Sequence, residues 1–324
     1  MTVEQLSLFP DQAPRAVEPQ GSLTAESSLD EAMGRFRDYM VQQDYAENTV
    51  KSFLGDLGIL KRYLKGSPPV GQISTKTLKD FMRWLQYERG KACSPKSYAR
   101  RLTTLKVFFS WLAERGVVPA DPAAPLIHKP VSAPLPRVLY DDQVDRLLAV
   151  TRQMMAGEGP DQKPDPRPHL LVTLILEIGI KKRECMGIKL AHIDTSNPAG
   201  PVVHIRYDNP RMQYKERRLR LPPAWARTLA QYRQVYEPRQ VLFPCTARNL
   251  EYVLANVAKL AGLPDGLSFE MLRWTCAMRD YRASMDPERL RRKLGLSQMS
   301  WLETEPKLVR LIAPPLGEEE ESPP

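Results

Sequence analysis

The sequence predicts a mostly α-helical protein with one small antiparallel sheet in its second half. Apolar residues recur at helical spacing over most of the chain. Apolar and polar residues alternate over only two short stretches, residues 202–207 and 217–221, as in half-buried strands. Prolines crowd residues 126–136, which we interpret as a linker between an all-helical domain and a mixed one.

The first domain, residues 28–125, is predicted to contain four helices. Ser28 can cap a first helix whose apolar residues recur every four positions. Similar apolar faces predict three further helices, over residues 49–64, 75–88 and 94–115. Gly116 and Pro119 end the last one.

The second domain, residues 137–312, is predicted to combine helices with the sheet. The two alternating stretches form its strands, and a turn between them begins at Asp208. Residues 157–168 are rich in Pro and Asp and are expected to form a loop. Helices are expected over residues 141–155, 170–177, 225–235, 249–261, 270–284 and 288–294, with a last one after Ser300.

The composition is that of a basic globular protein. The 324 residues are 42% hydrophobic and carry a net charge of +9, although the tail at 313–324 contains four consecutive glutamates at 318–321. This charge slightly favours a nucleic-acid partner over an ordinary basic soluble protein. No apolar run reaches the length of a membrane span and no signal-peptide pattern begins the sequence, so we expect a cytoplasmic, nucleoid-associated protein without a membrane partner.

The cysteines indicate no metal site. Cys93, Cys185, Cys245 and Cys276 are scattered along the chain without a C-x-x-C pair. This spacing favours buried free thiols over a zinc site. We expect neither a metal nor a cofactor.

Four stretches carry a family resemblance. Residues 178–188 read I-G-I-K-K-R-E-C-M-G-I and are similar to a T-G-L-R-x-x-E-L-x-x-L box. Residues 215–217, K-E-R, followed by two leucines and a proline, resemble a K-E-R-x-x-P-L strand. Residues 272–275 (L-R-W-T) and 294–297 (L-G-L-S) resemble L-R-H-T and L-G-H-S. In this order the motifs resemble the tyrosine recombinase (phage integrase, Xer-like) family over roughly residues 28–312.

The resemblance implies a SAM-like helical core-binding domain and an α+β catalytic-type domain that together close around duplex DNA. In the family, a tyrosine attacks a DNA phosphate held by two arginines, while a lysine and two further residues, usually histidines, manage protons. The two arginine positions hold Lys181 and Arg273, and the lysine position holds Met212. The two histidine positions hold Glu270 and Leu296, and the tyrosine position holds Glu305. Only the second arginine is retained, so the resemblance implies a degenerate catalytic site.

The loss of the nucleophile does not depend on this alignment. Tyr281 is the last tyrosine in the sequence and follows Arg273 by only eight residues. His204 is the last histidine, so no register supplies one to the later motifs. We therefore predict a pseudoenzyme without strand-cleavage activity. A divergent but active recombinase or transposase and a DNA-binding transcriptional repressor remain as alternatives.

Basic residues in both domains are the candidate DNA contacts. Cations placed along a surface bind phosphates without reading sequence, although a solvated charged face explains single members of the set equally well. The first domain offers Thr49, Lys51, Lys96, Arg100, Arg101 and Lys106. The second offers Lys181, Arg211, Lys215, Arg217, Arg218 and Arg273.

Residues 1–27 are polar and Pro-rich after one apolar cluster and are predicted to be a flexible arm. The cluster Gln5, Leu6, Ser7, Leu8 and Phe9 resembles the Q-L-(S/D)-L-F peptide by which bacterial replication and repair proteins bind the DNA sliding clamp. An extended segment can place two apolar side chains in a pocket of such a partner. The alternative is an apolar cluster that packs back on the fold.

The hypothesis for function combines these features. We predict a DNA-binding pseudo-recombinase tethered to the sliding clamp, acting as an accessory factor of a mobile element or of an active recombinase. The helix after Ser300 is where family members exchange contacts with neighbours, so the resemblance also implies self-assembly or assembly with an active recombinase. Its apolar residues are Trp301, Leu302, Leu308, Leu311 and Ile312.

Overall fold

The computed structural model describes residues 23–90, 93–127, 134–158, 163–264 and 266–313. The chain forms two compact units that divide between Ala133 and Pro134. Both the peptide at 5–9 and the four glutamates at 318–321 lie outside the described residues. The mostly helical fold class with a small antiparallel sheet is confirmed.

The first unit contains the four predicted helices. They are α1 (Leu29–Gln42), α2 (Glu47–Tyr63), α3 (Thr75–Tyr87) and α4 (Pro95–Glu114). Serine side chains cap three of them, because the hydroxyl oxygens of Ser28, Ser74 and Ser94 accept hydrogen bonds from backbone N–H groups in the first turn. The helices enclose a core in which Phe36 packs edge-on against Phe108.

The folded part of the first unit starts earlier than predicted. Residues 23–27 were assigned to the flexible arm, yet they pack against a short 3-10 helix, Val70–Gln72. The amides of Val70 and Gly71 donate to the carbonyl oxygens of Ser27 and Ala25, each over 2.9 Å. These backbone pairs satisfy polar groups that composition alone cannot show to be bonded.

The second unit surrounds a buried helix with shorter elements. Its helices are α5 (Asp141–Ala156), α6 (Arg167–Ile178), α7 (Lys182–Met186), α8 (Pro223–Tyr236), α9 (Ala247–Leu260), α10 (Phe269–Arg282), α11 (Pro287–Lys293) and α12 (Gln298–Ile312). The apolar helix α6 packs against α5, α8, α9 and α10 and forms the centre of the core. The predicted loop at 157–168 ends slightly early, because α6 begins at Arg167.

The sheet has three strands, one more than predicted. Strands β1 (Ile193–Asp194), β2 (Val202–Ile205) and β3 (Arg217–Arg220) pair antiparallel in that order, with Val203 opposite Leu219. Strand β1 is only two residues long and shows no alternation that a sequence pattern could reveal. Between β2 and β3, the chain forms a 3-10 helix, Pro210–Lys215, where the sequence predicted only a turn. None of the described helices is long and apolar enough to cross a membrane.

Candidate nucleic-acid interface

The second unit brings the quoted motifs together around the start of α7. Arg273, on α10, is only 7% exposed and donates through its two terminal nitrogens to the carbonyl oxygens of Gly179 and Leu294. These carbonyls belong to the first and last motifs. Burial lowers the pKa of Arg273, and nearby Glu184 partly offsets this effect. Arg273 therefore mainly holds the two motif loops side by side.

A buried ion pair between Arg217 and Glu184 connects β3 with α7 at the site. The Arg217 guanidinium binds both carboxylate oxygens of Glu184, over 2.9 and 3.1 Å, and its Nε donates to the carbonyl oxygen of Lys293 over 2.7 Å. The Tyr207 hydroxyl donates to the same carboxylate. Burial alone raises the pKa of Glu184, but the bonds from Arg217 and Tyr207 bring it below the ordinary value. Burial, followed by the bond to Glu184, raises the pKa of Tyr207 to about 12.

Gly295 is required where the last motif crosses this ion pair. Its φ is +59°, and a Cβ atom at this position would meet Nη1 of Arg217 at 2.6 Å. A side chain here would therefore strain the backbone and displace the guanidinium. The backbone conformation and the close guanidinium thus explain why this position of the L-G-L-S motif is glycine.

Among the described residues, the Lys181 side chain bonds no carboxylate, and unlike buried Arg273 it is only half-buried. Its backbone N–H donates to Glu184 over 2.8 Å, but its Nζ donates to the Gly295 carbonyl oxygen at 3.3 Å. Burial lowers the pKa of Lys181 to about 8, with further lowering by Arg273, Lys215 and Arg217 and a partial offset by Glu184. Burial and the neighbouring cations both disfavour the charged ammonium, and an arriving anion would favour it again.

The turn between β2 and β3 and the start of β3 add further cations, of which Lys215 is half-buried. The Lys215 ammonium lies 5.1 Å from the ring centre of Tyr214, which is itself 68% exposed. Arg211 and Arg218 are also exposed. The Nε of Arg218 donates to Nε2 of His204 over 3.2 Å, so this last histidine lies on the outer face of the sheet.

Four further positions that the resemblance matches to the family's catalytic residues are Met212, Glu270, Leu296 and Glu305. Glu270 is exposed and accepts a hydrogen bond from the Trp274 indole at 2.8 Å. Leu296 packs against the small apolar cluster beneath α12. Met212, in the 3-10 helix, and Glu305, on α12, are both half-buried. Met212 and Leu296 have no group that can transfer a proton, and the Glu270 and Glu305 side chains are carboxylates, whose negative charge would repel a phosphate.

In the first unit, a buried carboxylate determines which basic residues stay available. The side chain of Asp56 is only 4% exposed and lies 2.8 Å from Nη1 of Arg100 and 3.4 Å from Nε of Arg101. Arg101, 10% exposed, also donates to the Cys93 sulfur over 2.7 Å. Burial raises the pKa of Asp56 despite the two arginines.

These contacts revise the set of candidate DNA contacts. Arg101, Arg217 and Arg273 are buried and committed to groups within their own unit, so we assign them structural roles instead of phosphate contacts. Arg100 pairs with Asp56, but its side chain is 41% exposed, so it stays a candidate DNA contact as well. Sequence reasoning missed Asp56 and Glu184 as the counter-ions, and the only available signal was the glutamate of the first motif.

The other candidates in the first unit face solvent to different degrees. Lys96 is exposed, Thr49 and Lys106 are half-buried, and Lys51 is 69% exposed while pairing with Glu47 on the same helix. Surface pairs of this kind are weak and exchange readily for a phosphate. Among the cysteines, Cys185 and Cys276 are buried as predicted, whereas Cys93 and Cys245 are only half-buried. The described residues contain no cluster of metal-ligating side chains.

Comparison with known proteins identifies relatives of this architecture. Residues 34–116 match the family model of the phage integrase N-terminal SAM-like domain. Tyrosine recombinase XerC of Mycobacterium tuberculosis (strain H37Ra) is 32% identical over 171 residues, which is 51% of this chain and 54% of that protein. XerC of Mycobacterium sp. (strain JLS) is 27% identical over 172 residues, 52% and 55% of the two chains. These matches support a relationship of this chain to the tyrosine recombinase family. The chain spans about half the length of the curated relatives it matches.

Solved structures of integrases share the fold. A lambda integrase dimer bound to a COC' core site aligns with a TM-score of 0.67 and 14% identity, covering 91% of this chain and 81% of that one. The Tn1549 transposon integrase in complex with a circular intermediate DNA aligns with a TM-score of 0.68 and 16% identity, covering 87% and 95%. At these identities the likeness establishes the fold.

Proposed function

We propose that this protein is a DNA-binding pseudo-recombinase of the tyrosine recombinase type, without strand-cleavage activity. One observation carries the proposal. The site keeps a cation at Lys181, whose Nζ bonds a backbone carbonyl oxygen, while the positions for proton transfer and nucleophilic attack hold Glu270, Leu296 and Glu305. A site of this kind can hold a phosphate but has no group to attack it.

The proposed DNA contacts are basic residues that are exposed or half-buried. In the second unit these are Lys181, Arg211, Lys215 and Arg218, and in the first unit Lys51, Lys96, Arg100 and Lys106, with Thr49 beside them. Each contact with a phosphate releases counter-ions, so binding should weaken steeply with salt. The related XerC proteins are recombinases and the aligned integrases were solved on DNA, which supports duplex DNA as the partner.

The proposed absence of cleavage rests on the missing nucleophile and proton donor. Phosphoryl transfer needs a nucleophile in line with the phosphate and a proton donor for the leaving oxygen. Lys181 keeps the charge of the family's arginine but lacks its planar fork, and Glu270 places a carboxylate where a phosphate would approach. A single substitution at Lys181 therefore cannot restore activity.

Two partners complete the proposal. The peptide Gln5–Phe9 would bind the bacterial sliding clamp, and α12 would join the protein to an active recombinase or to a second copy. On α12, Trp301 and Leu308 are buried in their own unit, so they are not free for exchange as the sequence suggested. Leu302 and Ile312 are exposed and would carry the contact. An accessory role in a mobile element, with nucleoid association, follows from these partners.

The test measures binding and cleavage on the same DNA. Fluorescence anisotropy with duplex DNA should show binding that weakens about tenfold or more from low to physiological salt. Nicked suicide substrates should yield no covalent adduct. Adduct formation would favour the divergent active recombinase, whereas a strong footprint restricted to the protein's own promoter would favour the repressor. Binding that is absent or independent of salt contradicts the proposal.

A further inference from the structure

An exposed aromatic ring lies in the turn between β2 and β3. Tyr214, in the 3-10 helix Pro210–Lys215, is 68% exposed, and the described residues give its hydroxyl no hydrogen-bond partner. The Lys215 ammonium lies over one face of the ring, 5.1 Å from its centre. Because the side chain is largely exposed, the opposite face is open to solvent. An aromatic ring beside a cation is the combination with which proteins hold the base and the phosphate of an unpaired nucleotide.

The turn that carries this ring is held in place by hydrogen bonds. The Tyr207 amide donates to the carboxylate of Glu216 over 2.9 Å, which closes the base of the turn. Arg217, whose guanidinium is fixed by the buried ion pair, donates to the carbonyl oxygen of Lys215 over 3.1 Å. Tyr214 is therefore presented by an ordered turn, so a ligand that contacts the ring orders little additional backbone.

The ring also lies close to the proposed phosphate site. The Arg217 guanidinium bonds both the Lys215 carbonyl oxygen and the Glu184 carboxylate, and this carboxylate accepts from the Lys181 amide over 2.8 Å. These bonds place the turn directly beside the start of α7. A DNA strand whose phosphate is bound at Lys181 or Lys215 therefore brings a neighbouring base towards Tyr214.

We propose that Tyr214 stacks on an unpaired base, so that this protein binds locally unpaired DNA more tightly than continuous duplex. The inference rests on the proposed DNA binding and adds the class of DNA that the site prefers. In an intact duplex, neighbouring base pairs cover both faces of every base, and the ring has no face to stack on. Where the strands separate, a base turns outward at small cost and can stack on the ring.

The experiment compares two labelled DNAs of equal length by fluorescence anisotropy with the full-length protein. One is a continuous duplex, and the other carries a central bubble of mismatched pairs. Wild type should prefer the bubble. Tyr214→Ala should weaken binding to the bubble about five- to fiftyfold, with little effect on the duplex, whereas Tyr214→Phe retains the ring and should keep the preference. The matched control is Tyr140→Ala, which removes a 57% exposed tyrosine of the same unit and should change neither affinity.

The outcomes separate this inference from the proposed function. Salt-dependent binding with equal affinity for the two DNAs, or an equal loss on both in Tyr214→Ala, overturns the stacking contact and leaves DNA binding intact. Failure to bind either DNA overturns both. Urea titrations should give the same midpoint for wild type and both alanine variants, because the two side chains are exposed.

A second measurement locates the contact. Iododeoxyuridine at an unpaired position of the bubble loses iodide on irradiation and forms a covalent bond with an aromatic side chain stacked on the base. Peptide mass spectrometry should place this cross-link on Tyr214. A cross-link confined to other residues, or none in a complex that forms, overturns the inference.

Discussion

Lys181 provides a pH test of the anion site. Burial and the cations Arg273, Lys215 and Arg217 lower its pKa from 10.5 to about 8, against the offset from Glu184. A phosphate beside the ammonium favours the charged form and raises this pKa again. DNA binding therefore takes up a proton above about pH 8. Affinity should be highest below this pH and should fall as the pH rises through it.

The size of the effect follows from the fraction of Lys181 that is charged. With a pKa of about 8, roughly nine-tenths of the free side chain is charged at pH 7 and roughly one-tenth at pH 9. If the bound form stays charged, affinity falls about tenfold over this range. The slope of log affinity against log salt should change little between the two pH values, because the charged Lys181 makes the same phosphate contact in the complex at both.

The assay is anisotropy of a labelled duplex at constant ionic strength, repeated with Lys181→Arg. Arginine keeps its charge throughout this range, so the variant should lose most of the pH dependence while retaining the affinity seen at pH 7. An equal pH dependence in wild type and variant would show that another group titrates. A wild-type affinity that rises with pH would refute the sign of the coupling.

Three further predictions concern stability and the sliding clamp. Glu184→Gln leaves the buried Arg217 without its carboxylate and should lower the free energy of unfolding by about 3–5 kcal/mol in urea titrations, whereas an unchanged midpoint would show that the pair is dispensable. Gly295→Ala should cost about 1–3 kcal/mol in thermal melts because φ is positive and Cβ meets the guanidinium, so a neutral outcome would disprove the strain. A peptide of residues 1–15 should bind the bacterial sliding clamp with micromolar affinity by calorimetry, because its two apolar anchors each contribute roughly 1.5–3 kcal/mol against the entropy of ordering. Changing both Leu8 and Phe9 to Ala should abolish clamp binding but leave DNA binding intact, and failure of both the wild-type peptide and the full-length protein to bind removes the replication link.

Local sequence patterns were sufficient to predict most of the helices. Serine caps and apolar spacing place each predicted helix within a few residues of its observed bounds, because capping and periodicity are properties of neighbouring residues. Strand β1 escaped prediction because two residues cannot show alternation, and it exists only by pairing with β2. The folded start at Leu23 likewise depends on contacts with Val70 and Gly71 from a distant part of the chain.

The site was predicted only in part, for a related reason. The motifs meet around the start of α7 in the structure, but sequence position cannot show where a guanidinium points. Arg217 and Arg101 look like phosphate contacts until their carboxylate partners, 33 and 45 positions away, are seen beside them. Lys181 differs because its Nζ bonds a carbonyl oxygen and no carboxylate, which is a property of the fold.

The central claim is binding without cleavage, and a suicide-substrate experiment tests both halves together. A nicked duplex that traps any covalent intermediate is incubated with wild-type protein and with Lys181→Arg, and each sample is divided between a native and a denaturing gel. We predict a shifted, salt-sensitive complex on the native gel for both proteins and no retained protein on the DNA after denaturation. A denaturant-stable adduct mapped to any residue of the wild-type chain would contradict the account.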